Sequence, residues 1–198
     1  MTLARALLLS HNAAPMASVW DEIELTLVGL YSLPQNRAQL AGNTPQAAAK
    51  RKIDEIKSGV ASVTREDFVG PRLFLRVVGP ANRAYSGEWW FDAAILDSLE
   101  TAFSRVYFAA SDRKRALRDM LRELLAVSTE WNRMTEVWVL ELPPGERLRG
   151  YTGAGTPQKL FANAPLTAAG NRLLVGRACQ VYFPVKNPLW VKQYQSLV

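Results

Sequence analysis

The run Gly70-Pro71-Arg72-Leu73-Phe74-Leu75-Arg76-Val77-Val78 is where the chain changes texture, and its reading sets the fold class. Leu73, Leu75 and Val77 alternate onto one face of an extended segment, with Arg76 on the other. Upstream, apolar residues recur at helical spacing instead. Ser18 reads as an N-cap with Asp21 at the third helical position, and Trp20, Ile23, Leu27 and Leu30 share one face. That helix should stop before Pro34. Thr44-Pro45 opens a second helix with proline in its tolerated first position. It runs through the Lys50–Lys52 cluster, a solvated face, to Gly59. Residues 60–70 read as a linker, so residues 1–70 are expected to form a helical N-terminal segment.

Downstream, short strands are separated by loops and few helices. Val106–Ala109 and Val137–Leu142 read as strands, the second closed by Pro143-Pro144-Gly145. Asp112 caps a helix whose buried stripe is Ala116, Leu117, Met120, Leu121, Leu124 and Leu125. Tyr151–Gln158 reads as a Gly/Thr/Pro loop, and Gln180–Val185 as a late strand. This order predicts an α+β body over residues 71–198 rather than a regular parallel βαβ array.

Composition narrows the chemistry. The chain has 198 residues, 48% of them hydrophobic, enough for an ordinary core. Residues 1–70 hold seven basic and seven acidic side chains of the 24 and 18 in all, so the whole excess of +6 lies beyond residue 70. Arginine dominates lysine there, which suits planar recognition of phosphate or carboxylate. His11 is the only histidine and Cys179 the only cysteine. That removes Ser-His-Asp and Cys-His catalysis, multi-histidine or thiolate metal sites and any intrachain disulfide, and no metal is expected. Cys179 reads as a small buried hydrophobe. No run reaches the ~18 apolar residues of a membrane span, so no stable membrane insertion is expected. Leu3–Leu9, interrupted by Arg5, makes no convincing signal peptide. The three glycines of Gly150–Gly155 lack the lysine and spacing of a phosphate loop.

Four local features remain. Arg76 sits inside an apolar strand. Tyr85-Ser86-Gly87-Glu88-Trp89-Trp90 follows it. Trp131-Asn132 ends the segment Leu124–Asn132 ahead of a strand. Tyr151–Gln158 precedes Gln180-Val181-Tyr182-Phe183. In this order the chain resembles the divergent bacterial effector toxin domains of the ADP-ribosyltransferase and NAD-glycohydrolase superfamily, over roughly residues 72–195. The resemblance implies a split mixed sheet with flanking helices. It implies NAD as substrate, Arg76 on its pyrophosphate, the loop from Tyr151 and Thr152 to Gln158 near the nicotinamide, and Gln180 in the late catalytic position. Tyr85, Trp89, Trp90 and Tyr107 are available as aromatic walls for the nicotinamide ring. Transferases of the superfamily usually carry a catalytic Glu with a Gln or Glu two residues before it. Here Tyr182 follows Gln180 at that spacing, which favours plain NAD hydrolysis. The resemblance also implies a secreted or injected effector acting in the target-cell cytoplasm, a cognate immunity protein, and a delivery or adaptor protein engaged by residues 1–70.

Other readings stay open at the level of sequence. The chain could be an ADP-ribosyltransferase modifying a protein or nucleic acid, a nucleic-acid-directed toxin, or a non-catalytic binding module. Arg76 could be a structural partner of Glu141, Trp89 and Trp90 could be core, and Gln180 could be an edge-strand residue.

Overall fold

The structure, a computed structural model, describes residues 18–60, 62–79, 87–98, 111–176 and 178–196. The expected strand at 106–109 lies outside them. Two compact units divide the chain, Met1–Ile53 and Asp54–Val198.

In the first unit, helix α1 (Val19–Ser32) starts at a capping box. The Ser18 hydroxyl accepts the Asp21 amide at 3.2 Å, and the Asp21 carboxylate accepts the Ser18 amide at 2.8 Å. Two orphan donors of the first turn are thereby satisfied. α1 buries Ile23 and Leu27 and ends ahead of Pro34, where a 3-10 helix (Pro34–Leu40) follows. Helix α2 (Pro45–Gly59) opens with the Thr44 hydroxyl accepting the Ala47 amide at 3.2 Å. Ala48, Ala49, Ile53 and Ile56 are its buried side, while Lys50 and Arg51 are exposed. The division between the units falls within α2.

The second unit is α+β. Its strands are β1 (Thr64–Val69), β2 (Arg72–Val78), β3 (Trp89–Asp92), β4 (Glu136–Leu142), β5 (Arg147–Ala154), β8 (Cys179–Tyr182) and β9 (Val191–Ser196). They form one seven-stranded sheet in the order β1-β5-β8-β3-β2-β4-β9. A two-stranded ribbon, β6 (Gln158–Lys159) with β7 (Leu173–Leu174), stands apart. Every described ladder is antiparallel, so the expectation of a mixed sheet is corrected. Helix α3 (Ala94–Ser98) follows β3, and helix α4 (Arg113–Leu125) starts at Asp112, whose carboxylate accepts the Arg115 amide. Leu121, Leu124 and Leu125 of α4 form a core with Val77, Phe91, Val137 and Ala178. A second core joins Phe68, Phe74, Trp90, Leu140, Leu142, Leu148, Val181 and Phe183.

Two expectations fail here for physical reasons. The supposed linker contains β1, an edge strand whose ladder with β5 runs from Thr64↔Thr152 to Val69↔Arg147. Its charges hid it. Asp67 accepts Arg149 across the strands at 2.8 Å and Arg65 at 3.2 Å, and such charged edges resist further pairing. The supposed loop from Tyr151 is largely strand β5, paired on both sides. Its glycines are there for close approach. A Cβ on Gly150 would lie 2.6 Å from the Phe183 ring, and one on Gly153 would lie 2.2 Å from the Ser62 carbonyl oxygen.

Phe68 ties β1 to the core through edge-to-face contacts with Phe74 and Phe183, at centroid distances of 4.9 and 5.7 Å. Phe68→Ala is expected to destabilise the protein by about 3–5 kcal/mol in urea unfolding. A loss under about 1 kcal/mol, the range of surface substitutions, would return residues 64–69 to a linker.

Candidate functional site

The site arises from a change of partner along β3. Its far end pairs with β2, Phe74↔Asp92 and Leu75↔Phe91, whereas its near end pairs with β8, Trp89↔Tyr182 and Trp90↔Val181. Beyond Leu75, β2 keeps its ladder to β4 through Val78↔Glu136, but β3 no longer lies against it. At this parting is a cleft of about 430 Å³. Arg76 and Val77 line it from β2, Trp89 and Trp90 from β3, and Gln180 from β8. Glu55 and Ser58 of α2, Trp131, Asn132 and Gln158 also line it.

Arg76, Gln180, Gln158 and Trp90 are thus brought to one cleft. Tyr151 and Thr152 are not among its lining residues. Tyr151 is buried, and the Thr152 hydroxyl donates to the Thr64 carbonyl at 3.2 Å on the opposite side of β5 from β8. Tyr85 and Tyr107 lie outside the described residues. Trp90 is a core residue as well as a wall, 2% exposed, with its indole N–H donating to the Gly87 carbonyl at 3.0 Å.

Arg76 is the unusual group. Its Nη1 is buried and has no hydrogen-bond partner among the described residues. Its guanidinium fills the space over Gly87, where a Cβ would fall 1.1 Å from Nη1. Burial pushes its pKa down, and the nearby carboxylate of Glu88 pushes it back up. The alternative partner Glu141 is excluded, because Glu141 takes Lys192 at 2.6 Å and the residue across the ladder from Arg76 is Trp138. A buried guanidinium N–H without an acceptor is costly, and the buried Arg122 shows the usual remedy. Arg122 gives its N–H groups to the carbonyls of Val127 and Asn132 at 2.8 and 3.1 Å.

Gln180 is anchored, not free. Its side-chain amide donates to the Leu125 carbonyl at 3.0 Å, and a Cβ on Gly155 would lie 2.9 Å from the same nitrogen. The bare Gly155 therefore lets β8 present this amide beside the end of α4. Asn132 holds the wall together, donating to the Val77 carbonyl and accepting the Met134 amide, each at 2.8 Å. Trp131 is 59% exposed at the rim. Cys179, expected to be buried, is exposed.

Sequence reasoning missed Lys186. It lies in Pro184-Val185-Lys186-Asn187-Pro188, just past the expected late strand Gln180–Val185. Its Nζ stands 6.0 Å from the Trp90 ring centroid. Burial lowers its pKa from 10.5 to about 8, with Glu88 opposing and Arg76 reinforcing the shift. Several other carboxylates of this unit are engaged away from the cleft. Asp92 takes Arg72 at 2.6 Å, Glu123 takes Arg172, and Glu136 accepts the Trp138 indole at 2.9 Å. A larger groove of about 910 Å³, around Pro71, Pro143 and Leu189, has its charged lining residues Arg72, Asp92 and Glu141 already in ion pairs. Among the described residues no group of three or more His, Cys, Asp and Glu side chains is placed to hold a metal, and no helix is long and apolar enough to cross a membrane.

The lowered Lys186 pKa fixes the sign of a pH effect. Below about pH 8 the amine is charged in folded and unfolded chains, and the fold bears the full penalty. Between about 8 and 10.5 the unfolded chain holds more protons, so stability rises with pH across that window. Lys186→Met is expected to stabilise the protein at pH 7 by of order 1–2 kcal/mol, allowing for solvent screening. The gain should fade as pH approaches 10, read from paired thermal melts. A variant less stable than wild type at pH 7 would count against the buried charge.

No protein-family model and no curated protein matches the chain. Among solved structures it is similar to one described as "Rhs1-CT in complex with cognate immunity protein RhsI1". The two are 14% identical, with a TM-score of 0.38, over 68% of this chain and 79% of that one. The functional reading rests on the cleft itself.

Proposed function

We propose that the second unit is a toxin domain that consumes NAD, cleaving its nicotinamide–ribose bond in the cleft between β2 and β3. The observation that carries this reading is the meeting of Arg76, Gln180 and Gln158 in one cleft walled by Trp89 and Trp90. A guanidinium with a buried, unpartnered N–H asks for an anionic oxygen, and a dinucleotide diphosphate supplies one with charge to spare. Trp89, the partly exposed tryptophan of the pair, offers a flat apolar wall to the nicotinamide.

The chemistry needs few groups. The ribose C1′–N bond breaks heterolytically, and its electron pair neutralises the pyridinium, so nicotinamide leaves without a proton donor. The positive charge passes to the ribose as an oxocarbenium-like centre. Water adds there and releases one proton to solvent, giving ADP-ribose. In this scheme Arg76 holds the diphosphate, and the carbonyl oxygen of the Gln180 side chain faces the developing charge while its amide is tied to Leu125. The absence of a histidine base is no obstacle. In the same reading an immunity protein with acidic residues covers the cleft, the protein is delivered into a target cell, and the docking or delivery role expected of residues 1–70 falls to the first unit, since β1 belongs to the sheet.

Purified protein incubated with NAD is expected to release nicotinamide and free ADP-ribose without an acceptor. Arg76→Ala should abolish this with little change in melting temperature, since among the described residues the Nη1 it removes has no partner to leave behind. Gly87→Ala should mimic it by displacing the guanidinium. Gln180→Ala should slow cleavage by roughly 10², the scale of losing one transition-state contact. Label transferred only to a protein or RNA would make the chain a transferase. Failure to release nicotinamide at all, with wild-type protein folded, would remove the NAD reading.

A further inference from the structure

Arg76, Gly87, Trp90 and Lys186 form one connected group. The Arg76 guanidinium covers Gly87, the Gly87 carbonyl accepts the Trp90 indole at 3.0 Å, and Lys186 Nζ lies 6.0 Å from the Trp90 ring centroid. Glu88, next to Gly87, acts electrostatically on both cations. Two cations thus share the field of one carboxylate, leaving an excess of one positive charge in a half-buried place.

Each cation is shifted toward its neutral form by burial, and Arg76 further depresses Lys186. A fold gains nothing from holding two desolvated like charges together. The pair becomes favourable once an anion bridges it. The two groups also differ in kind. A guanidinium offers a planar fork to one phosphate, and an ammonium offers a compact point charge to the next. A diphosphate, with charge on two linked centres, matches that difference better than a single carboxylate does.

We propose that Lys186 and Arg76 together form a two-point seat for a diphosphate, in which Glu88 serves as internal counter-ion until the ligand displaces it. The seat deepens the NAD reading, which assigns the diphosphate to Arg76 alone; Lys186 and Glu88 are not among the cleft's lining residues, so the seat reaches from the cleft wall at Arg76 past Trp90 to Lys186. Glu88 then acts as a selectivity device. A singly charged ligand does not repay its displacement, whereas a doubly charged one does.

Calorimetry at fixed low salt tests this with two probes, inorganic pyrophosphate for the anion alone and ADP-ribose for a dinucleotide diphosphate. Wild type is expected to bind both. Lys186→Ala should weaken both by at least about tenfold, Lys186→Arg should stay within about threefold, and Glu88→Gln should bind pyrophosphate about threefold or more tightly. Circular dichroism on each variant confirms that it is folded. No pyrophosphate binding by wild type, or unchanged binding by Lys186→Ala, overturns the seat, and unchanged binding by Glu88→Gln removes the counter-ion. Pyrophosphate binding lost in Lys186→Ala by a protein that never releases nicotinamide upholds the seat and rejects the NAD reading. NAD cleavage with an unaltered KM in Lys186→Ala does the reverse.

Discussion

Four residues hold the sheet together. Trp89–Asp92 is the strand between the β1-β5-β8 half and the β2-β4-β9 half, and it gives two residue pairs to each neighbour. A longer β3 would zip along β2 and close the cleft. A shorter one would leave two sheets with exposed edges. The opening beside Arg76 is therefore set by where β3 changes partner, and the two cores depend on the same clasp. Phe91 joins one core and Trp90 the other, as alternate residues of a strand must.

This arrangement explains why charge gathers where it does. Elsewhere on the sheet Arg149 finds Asp67 and Lys192 finds Glu141 across strands. At the parting that option narrows. The β3 backbone has moved to β8, Gly87 offers no side chain, and Glu88 must answer two cations. The cost is local, and the aromatic and aliphatic packing on either side of the sheet bears it.

How much of this could be read from the amino acids alone varied by element. Helices with a complete signal were legible: Ser18 with Asp21, Thr44 with Pro45, and Asp112 ahead of a leucine stripe. Arg76 stood out because a cation amid Leu73, Phe74, Leu75, Val77 and Val78 demands a reason. β1 was hidden because an edge strand carries the charges of a loop. β5 was hidden because glycines that admit the Phe183 ring and the Ser62 carbonyl look like turn residues. Lys186 was out of reach for another reason. Its surroundings are made by Glu88 and Trp90, about a hundred positions earlier, and nothing in Pro184–Pro188 carries that information. Local chemistry announces itself in sequence, whereas an environment assembled by topology does not.

The exposed thiol of Cys179 has a consequence of another kind. As the only cysteine, it leaves the fold without a covalent cross-link, so its stability is the same in a reducing cytosol and an oxidising exterior. Oxidation acts between molecules instead. Any disulfide Cys179 forms with its own kind joins two chains through β8, one residue from Gln180. Reductant is thus a variable of assembly for this protein and not of folding.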